Sequence, residues 1–290
     1  MSTASVPFLT EPSNTSTSDN ASDIIVLKFG SSILTHEREV WSVVSEIRRV
    51  RQQGKRVVAV VSAMWGVTDR LLAAARKVTE SLSGPSLARL LATGEHASVA
   101  LIGLAMQEAG IEHAVLDARA LGLVSDGPHT DAVPVSVNIS ALRSALAERG
   151  VVIVPGYEAV SRQGEPTVLG RGGSDLTAVF LADALDAEVR LIKDVDGVFE
   201  RDPLRAYTPG TPRPKRYRSV RWELVPAIAS RLVQAKAIEF AAAKGLPVQV
   251  CSLGSDEGTL ICDQTDLGEV FAPGEGSEGA FVLAPARVRA

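Results

Sequence analysis

Apolar positions along this chain alternate between two patterns. Continuous runs at 24–29, 56–61, 151–155, 188–192 and 247–252 read as strands buried on both faces. Between them lie helix-periodic stretches. One covers 40–53, with Val40, Val43, Val44, Ile47 and Val50 on one face and Gly54 past its end. Further helices are predicted over about 69–82, 86–108, 139–149, from Ser174 to about 186, and over about 225–244. Short strands are predicted at 114–117, 133–137 and 259–262, and Gln163-Gly164-Glu165-Pro166 is a hairpin turn. Gly94 sits inside the 86–108 helix at a cost of about 1 kcal/mol relative to Ala, which implies close packing or a break beside Glu95. Alternating strands and helices predict an α/β fold, a three-layer αβα sandwich around a mostly parallel sheet.

Composition narrows this picture. The 290 residues make one large domain or two small lobes, and 46% hydrophobic with only 4% aromatic residues means a core of Val, Leu, Ala and Ile. A net charge of −4 argues against nucleic acid as a partner, which needs a basic face. Two cysteines, Cys251 and Cys262, are too few for a disulfide framework and read as reduced thiols of a cytoplasmic protein. No apolar run is long enough to span a bilayer and the first residues lack a secretory signal, so no membrane is expected as partner. Residues 1–22, rich in Ser, Thr, Asn and Pro, are expected to be disordered, 23–262 to form the folded domain, and 263–290 a loose tail. Residues 209–218, rich in Pro, Lys and Arg, read as an extended surface loop.

Candidate chemistry gathers at strand ends. The stretch Gly170-Arg171-Gly172-Gly173-Ser174-Asp175 opens a helix, so it offers free N–H groups and a positive dipole end to an anion. Arg171 adds a planar fork for a carboxylate or phosphate, and Asp175 an acceptor able to hold a lysine or a metal. The plainer reading is a helix capped by Ser174 or Asp175. Lys28 ends the first strand ahead of Gly30-Ser31-Ser32, a phosphate-binding arrangement, though a lysine there can also snorkel to solvent. The second strand empties into Ser62-Ala63-Met64-Trp65-Gly66-Val67-Thr68-Asp69, and both loops belong at one crevice. His36, His96, His113 and His129 show no metal spacing, and Asp126, His129 and Asp131 read as a solvated loop.

Four motifs in order carry a family resemblance: Val26-Leu27-Lys28-Phe29-Gly30; Val60 through Asp69; Leu169-Gly170-Arg171-Gly172-Gly173-Ser174-Asp175 with Thr177-Ala178; and Asp194-Val195-Asp196-Gly197-Val198-Phe199 with Asp202-Pro203. Over residues 24–262 the chain resembles the catalytic domain of aspartate kinases, in the amino acid kinase superfamily with its carbamate kinase-like fold. The resemblance implies ATP- and Mg2+-dependent phosphorylation of a carboxylate, with aspartate the leading substrate. It implies an acid-binding lobe over about 23–160 and a nucleotide-binding lobe over about 161–262. Lys28 and Asp175 become the catalytic pair, Asp175 holding Lys28. Thr68, Glu95, Arg171, Gly172, Gly173 and Ser174 are implied on the acid, with Glu95 on its ammonium and Arg171 on its carboxylate. Gly30, Ser31, Ser32, Lys193, Asp194, Phe199, Asp202 and Arg231 are implied on the nucleotide, Phe199 packing on the adenosine or standing as plain core. No protein metal ligand set is implied.

Departures keep other readings open. Ser31 and Ser32 replace a Gly and a Thr, and Lys28 through Thr35 looks more like the start of a glutamate 5-kinase. Trp65 stands where a small residue is usual and is expected to narrow the pocket near Thr68. Lys193 stands where a Thr is usual, Leu204 where an Arg is, and Arg231 where a lysine is. A kinase acting on glutamate or another small acid is one alternative, and a non-catalytic nucleotide-binding subunit is another. Paired ACT regulatory domains are not expected after Cys262, and a homodimer is expected by analogy only.

Overall fold

A computed structural model describes residues 23–201, 214–230 and 232–268. The expected tail 1–22, most of the expected tail beyond 263, Asp202, Leu204 and Arg231 lie outside the described residues. In chain order the first half comprises β1 (Ile24–Phe29), α1 (Val40–Gln52), β2 (Arg56–Val61), α2 (Val67–Arg76), α3 (Gly84–Glu108), β3 (Ala114–Val115), β4 (Val124–Asp126), β5 (Val133–Ser136), α4 (Ile139–Arg149) and β6 (Val151–Pro155). The second comprises β7 (Glu158–Ser161), β8 (Pro166–Val168), α5 (Gly173–Leu185), β9 (Glu188–Lys193), β10 (Tyr217–Arg221), α6 (Val225–Ile228), α7 (Ala235–Lys244), β11 (Val248–Ser252), β12 (Thr259–Cys262) and β13 (Asp266–Leu267).

The strands form a nine-stranded sheet in the order β13-β10-β12-β11-β9-β1-β2-β6-β3, and a four-stranded sheet in the order β5-β4-β7-β8. Among the described residues, only the β10–β13 and β11–β12 pairs of the large sheet are antiparallel. Ile24 and Val26 of β1 face α4, α5 and α7 in one core, while Ile25, Leu27 and Phe29 face α1 and α3 in another. Alternate residues of one strand thus enter opposite cores, which is why the central strands read as unbroken apolar runs. Each fully buried Val, Leu or Ile side chain contributes about 1.5–3 kcal/mol toward holding these layers. The three-layer α/β architecture is as expected. Among the described residues no helix is long and apolar enough to cross a membrane.

Several expected boundaries change. The stretch read as one helix over 225–244 is two, because Ala229 leaves helical geometry (φ −139°) and the chain turns before α7 starts again at Ala235. Ala229 and Val233 are buried through that break, so apolar spacing continues where the helix does not. Of the expected loop 209–218, residues 209–213 lie outside the described residues and Tyr217 and Arg218 begin β10, while the expected tail contributes β13. The loop holding Asp126, His129 and Asp131 includes β4, and each side chain has its own partner: Arg162, Glu165 and Lys236 respectively.

Candidate active site

The chain leaves β1 and adjoins β2 on one side and β9 on the other. Strands that part company this way open a crevice at their C-terminal ends. Three such ends meet here. β1 feeds Gly30-Ser31-Ser32, β2 feeds Ser62 to Gly66, and β9 ends on Lys193 before Asp194. Together with the start of α5 they line a cleft of about 620 Å³. A second cavity, about 630 Å³ near His113 and Arg149, contains none of the residues implied on the acid or the nucleotide.

At the floor of the cleft, Lys28 Nζ lies 2.6 Å from Asp175 Oδ1, and Lys193 Nζ lies 3.1 Å from Asp175 Oδ2. All three side chains are buried, at 6%, 3% and 7% exposure for Lys28, Asp175 and Lys193. The snorkelling reading of Lys28 is therefore corrected. Its ammonium folds back over Gly30, where a Cβ would stand 2.8 Å from Nζ. A side chain there would push the ammonium from its place beside Asp175. Burial pushes the Asp175 carboxyl up, but Lys193 and Lys28 outweigh it and hold the group down at about 2. Burial pulls the Lys193 ammonium down to about 8 although Asp175 acts in the opposite direction. Of the two alternatives for Asp175, lysine or metal, both of its oxygens go to lysine.

The motif around Asp175 makes a helix start. Gly172, in the left-handed region at φ +78°, is the N-cap of α5, and Asp175 falls in the first turn. Neither Ser174 nor Asp175 caps α5, since that position falls to Gly172 without a side-chain hydrogen bond. The Gly173 N–H donates to Gly170 O at 3.0 Å, and the positive dipole end of α5 lies at the cleft that Gly172, Gly173 and Ser174 line. Arg171 also lines it, with its side chain exposed.

At the other end, Glu95 is 3% exposed, which excludes an ordinary surface residue. Its Oε1 accepts the Ala63 N–H at 3.1 Å, and among the described residues Oε2 is buried without a partner. Burial pushes the carboxyl up to about 8. α3 is continuous through Gly94, so the choice between break and close packing falls to packing. A Cβ there would stand 2.9 Å from Ala63 Cβ and 3.1 Å from Val67 Cγ1. Thr68, near the start of α2, lines the same end half-buried. Trp65 lines the same cleft and is 65% exposed. The neighbouring His96 is turned away, with Nε2 2.7 Å from Glu158 Oε2.

The cleft thus brings together Lys28, Gly30, Ser31, Ser32, Thr68, Glu95, Arg171, Gly172, Gly173, Ser174, Asp175, Lys193 and Asp194. Phe199 is not among its lining residues; it is half-buried and forms an antiparallel bridge to Arg216. Lys193, expected on the nucleotide, is bonded at the floor of the cleft to the carboxylate that holds Lys28. Tyr157, Leu232 and Gln234 line the cleft without having been singled out. Tyr157 follows β6 and takes φ +71°, a strained value for a residue with a side chain. Its N–H is held by Thr177 Oγ1 at 3.1 Å, and burial pushes its hydroxyl up to about 12. Its position after a parallel strand was the available signal. Leu232 and Gln234 sit in the break between α6 and α7, which periodicity hides. Lys236 of α7 pairs with Asp131 and donates to Leu169 O, tying α7 to the chain just before the Gly170 motif.

The chain is similar to known proteins over most of its length. Residues 23–211 match the family model described as Amino acid kinase family. The aspartokinase of Pseudomonas aeruginosa is 33% identical over 243 residues, covering 82% of this chain and 58% of the relative. The aspartokinase of Geobacillus stearothermophilus is 32% identical over 249 residues, covering 84% and 60%. The crystal structure of aspartate kinase from Synechocystis superposes with a TM-score of 0.70 at 31% identity, covering 83% of this chain and 40% of that one. The chain spans about 58–60% of the length of these two curated relatives.

Proposed function

The chain belongs to the amino acid kinase family, and from that premise we propose that it transfers the γ-phosphoryl group of ATP to the side-chain carboxylate of L-aspartate, giving 4-phospho-L-aspartate. The observation that carries this reading is the Lys28–Asp175 pair, 2.6 Å apart at the floor of a cleft with Glu95 at one end and Arg171 on its wall. The similarity to aspartokinases over more than four-fifths of the chain supports aspartate as the acid.

The chemistry asks for little besides charge and position. An aspartate side chain is already ionised near neutral pH, so its oxygen attacks the γ-phosphorus without a base. The new O–P bond forms as the bond from phosphorus to the β–γ bridging oxygen breaks, and ADP leaves with that electron pair. Negative charge spreads over the equatorial oxygens in the transition state, and fixed cations and N–H groups stabilise it. Lys28 supplies the cation. Gly30, Ser31 and Ser32 and the start of α5 supply N–H groups. Arg171 takes the α-carboxylate, Glu95 the ammonium, and Thr68 the remaining polar edge of the acid.

The floor of the cleft fits a polyphosphate, because two buried lysines share one carboxylate. Magnesium would come with the nucleotide, neutralising its phosphates. Among the described residues there is no cluster of three His, Cys, Asp or Glu to hold the ion independently.

The test is acyl phosphate trapping with hydroxylamine in the presence of ATP and magnesium, across aspartate, glutamate and related acids. Hydroxamate with aspartate is expected. Hydroxamate only with another acid replaces the substrate. No hydroxamate from any acid, with ADP still bound, makes the chain a nucleotide-binding subunit.

A further inference from the structure

Two lysines reach Asp175 from adjacent parallel strands. Lys28 is on β1 and Lys193 ends β9, and the register sets Phe29 against Ile192, so the two chains run side by side into the cleft. One carboxylate balances one ammonium, and Lys28 at 2.6 Å already does this. Lys193, at 3.1 Å from the other oxygen, is a second buried cation on the same anion. The next carboxylate along, Asp194, has its side chain exposed and is a weaker influence on Lys193 than Asp175 is. Holding a surplus charge at 7% exposure is costly, since a buried ion without its own counter-charge gives up hydration that nothing replaces. A purely structural lysine has no reason to bear that cost when a neutral side chain would pack there.

We propose that Lys193 is a second catalytic cation, contacting the transferring γ-phosphoryl group opposite Lys28, with Asp175 as the spacer that sets the two ammonium groups apart. This rests on the kinase reading above and goes beyond it, because it moves Lys193 from general nucleotide binding to the reacting group. The two lysines embrace the group that gains charge as the bond to ADP breaks. The α- and β-phosphates remain with the β1 loop and the α5 start. Lys193 therefore distinguishes ATP from ADP.

The experiment compares the 290-residue wild type with Lys193→Met, which keeps nearly the length of lysine without its charge, and with Lys193→Gln, which is one atom shorter but stays polar. Affinities for ADP and for a non-hydrolysable ATP analogue are measured by calorimetry with magnesium, beside steady-state turnover. In both variants the preference for the ATP analogue over ADP should fall about 10-fold or more, with ADP affinity changed by less than about 3-fold. Turnover should fall by about 100-fold or more at saturating acid and ATP, with the KM for the acid nearly unchanged. Melting temperature should hold or rise, since a surplus buried charge has gone. An unchanged analogue-to-ADP preference with turnover intact overturns the proposal while leaving the kinase reading standing. Equal loss of ADP and analogue affinity overturns it too, returning Lys193 to general nucleotide binding. A wild type that binds neither nucleotide overturns the kinase reading and this proposal together.

Discussion

The Ala63 N–H donates to Glu95 Oε1 at 3.1 Å, and that single bond orients a carboxyl whose other oxygen is buried and unpartnered among the described residues. Burial raises this group from 4.5 to about 8. Between those values the folded chain holds a proton that the unfolded chain has released, so stability without substrate falls as pH rises through this window. Glu95→Gln should flatten that slope, which urea unfolding between pH 5 and 8 would register. An ammonium entering beside Glu95 favours the ionised form, so aspartate binding at pH 7 should release a proton. Calorimetry in buffers of different ionisation enthalpy reads that release directly. A binding heat independent of buffer would exclude Glu95 as the ammonium partner.

Asp175 is the counter-charge for two buried ammonium groups. Asp175→Asn should lower unfolding free energy by about 3 kcal/mol, because it leaves both cations without their anion. Adding Lys193→Met to that variant should restore more than half of the loss. The wild-type carboxyl, held down at about 2, contributes stability that is present above its unfolded pKa of 3.8 and is lost as pH falls through about 2. An Asp175→Asn protein as stable as wild type at pH 7 would contradict this account.

Lys28→Ala should abolish turnover while leaving the large sheet folded, since the neighbouring residues Leu27 and Phe29 keep their core contacts. Circular dichroism and a melt establish the fold, and hydroxamate formation the activity. Activity within about 10-fold of wild type would remove Lys28 from the transition state.

Arg171 is exposed on the cleft wall, so its removal leaves no cavity and should not alter the melt. Arg171→Ala should raise the KM for the acid by about 10-fold or more while changing the KM for ATP little. An unchanged acid KM would leave the α-carboxylate to another group.

In an exposed helix, replacing Gly94 by Ala would gain about 1 kcal/mol. In α3 the added Cβ meets Ala63 at 2.9 Å and Val67 at 3.1 Å, so the sign reverses. A loss of about 1–3 kcal/mol is expected, together with weaker acid binding because the Ala63 loop must shift beside Glu95. Denaturant midpoints measure the first effect and acid KM the second.

The central strands were legible because burial on both faces makes β1, β2, β6 and β9 continuous apolar runs. β4 and β10 were not, being short and carrying polar residues such as Asp126 and Arg218. The break before α7 was hidden because residues of a turn can be as buried as residues of a helix. At the cleft, Lys28, Glu95 and Asp175 could be picked from motifs. The sharing of Asp175 by Lys193 could not, since it depends on β9 lying beside β1, a fact of topology rather than of local sequence. Tyr157 was within reach of the rule that ligands gather where parallel strands end. Leu232 and Gln234 were beyond it.

Asp131 and Lys236 join the loop ahead of β5 to α7 through side chains that are 60% and 33% exposed. Ion pairs in water are worth at most about 1 kcal/mol and weaken as salt is added. This fastening of α7 is therefore a soft one, unlike the buried charges of Lys28, Asp175 and Lys193. Ionic strength can loosen the tie between α7 and the chain ahead of the Gly170 motif while leaving the paired charges at the cleft floor untouched.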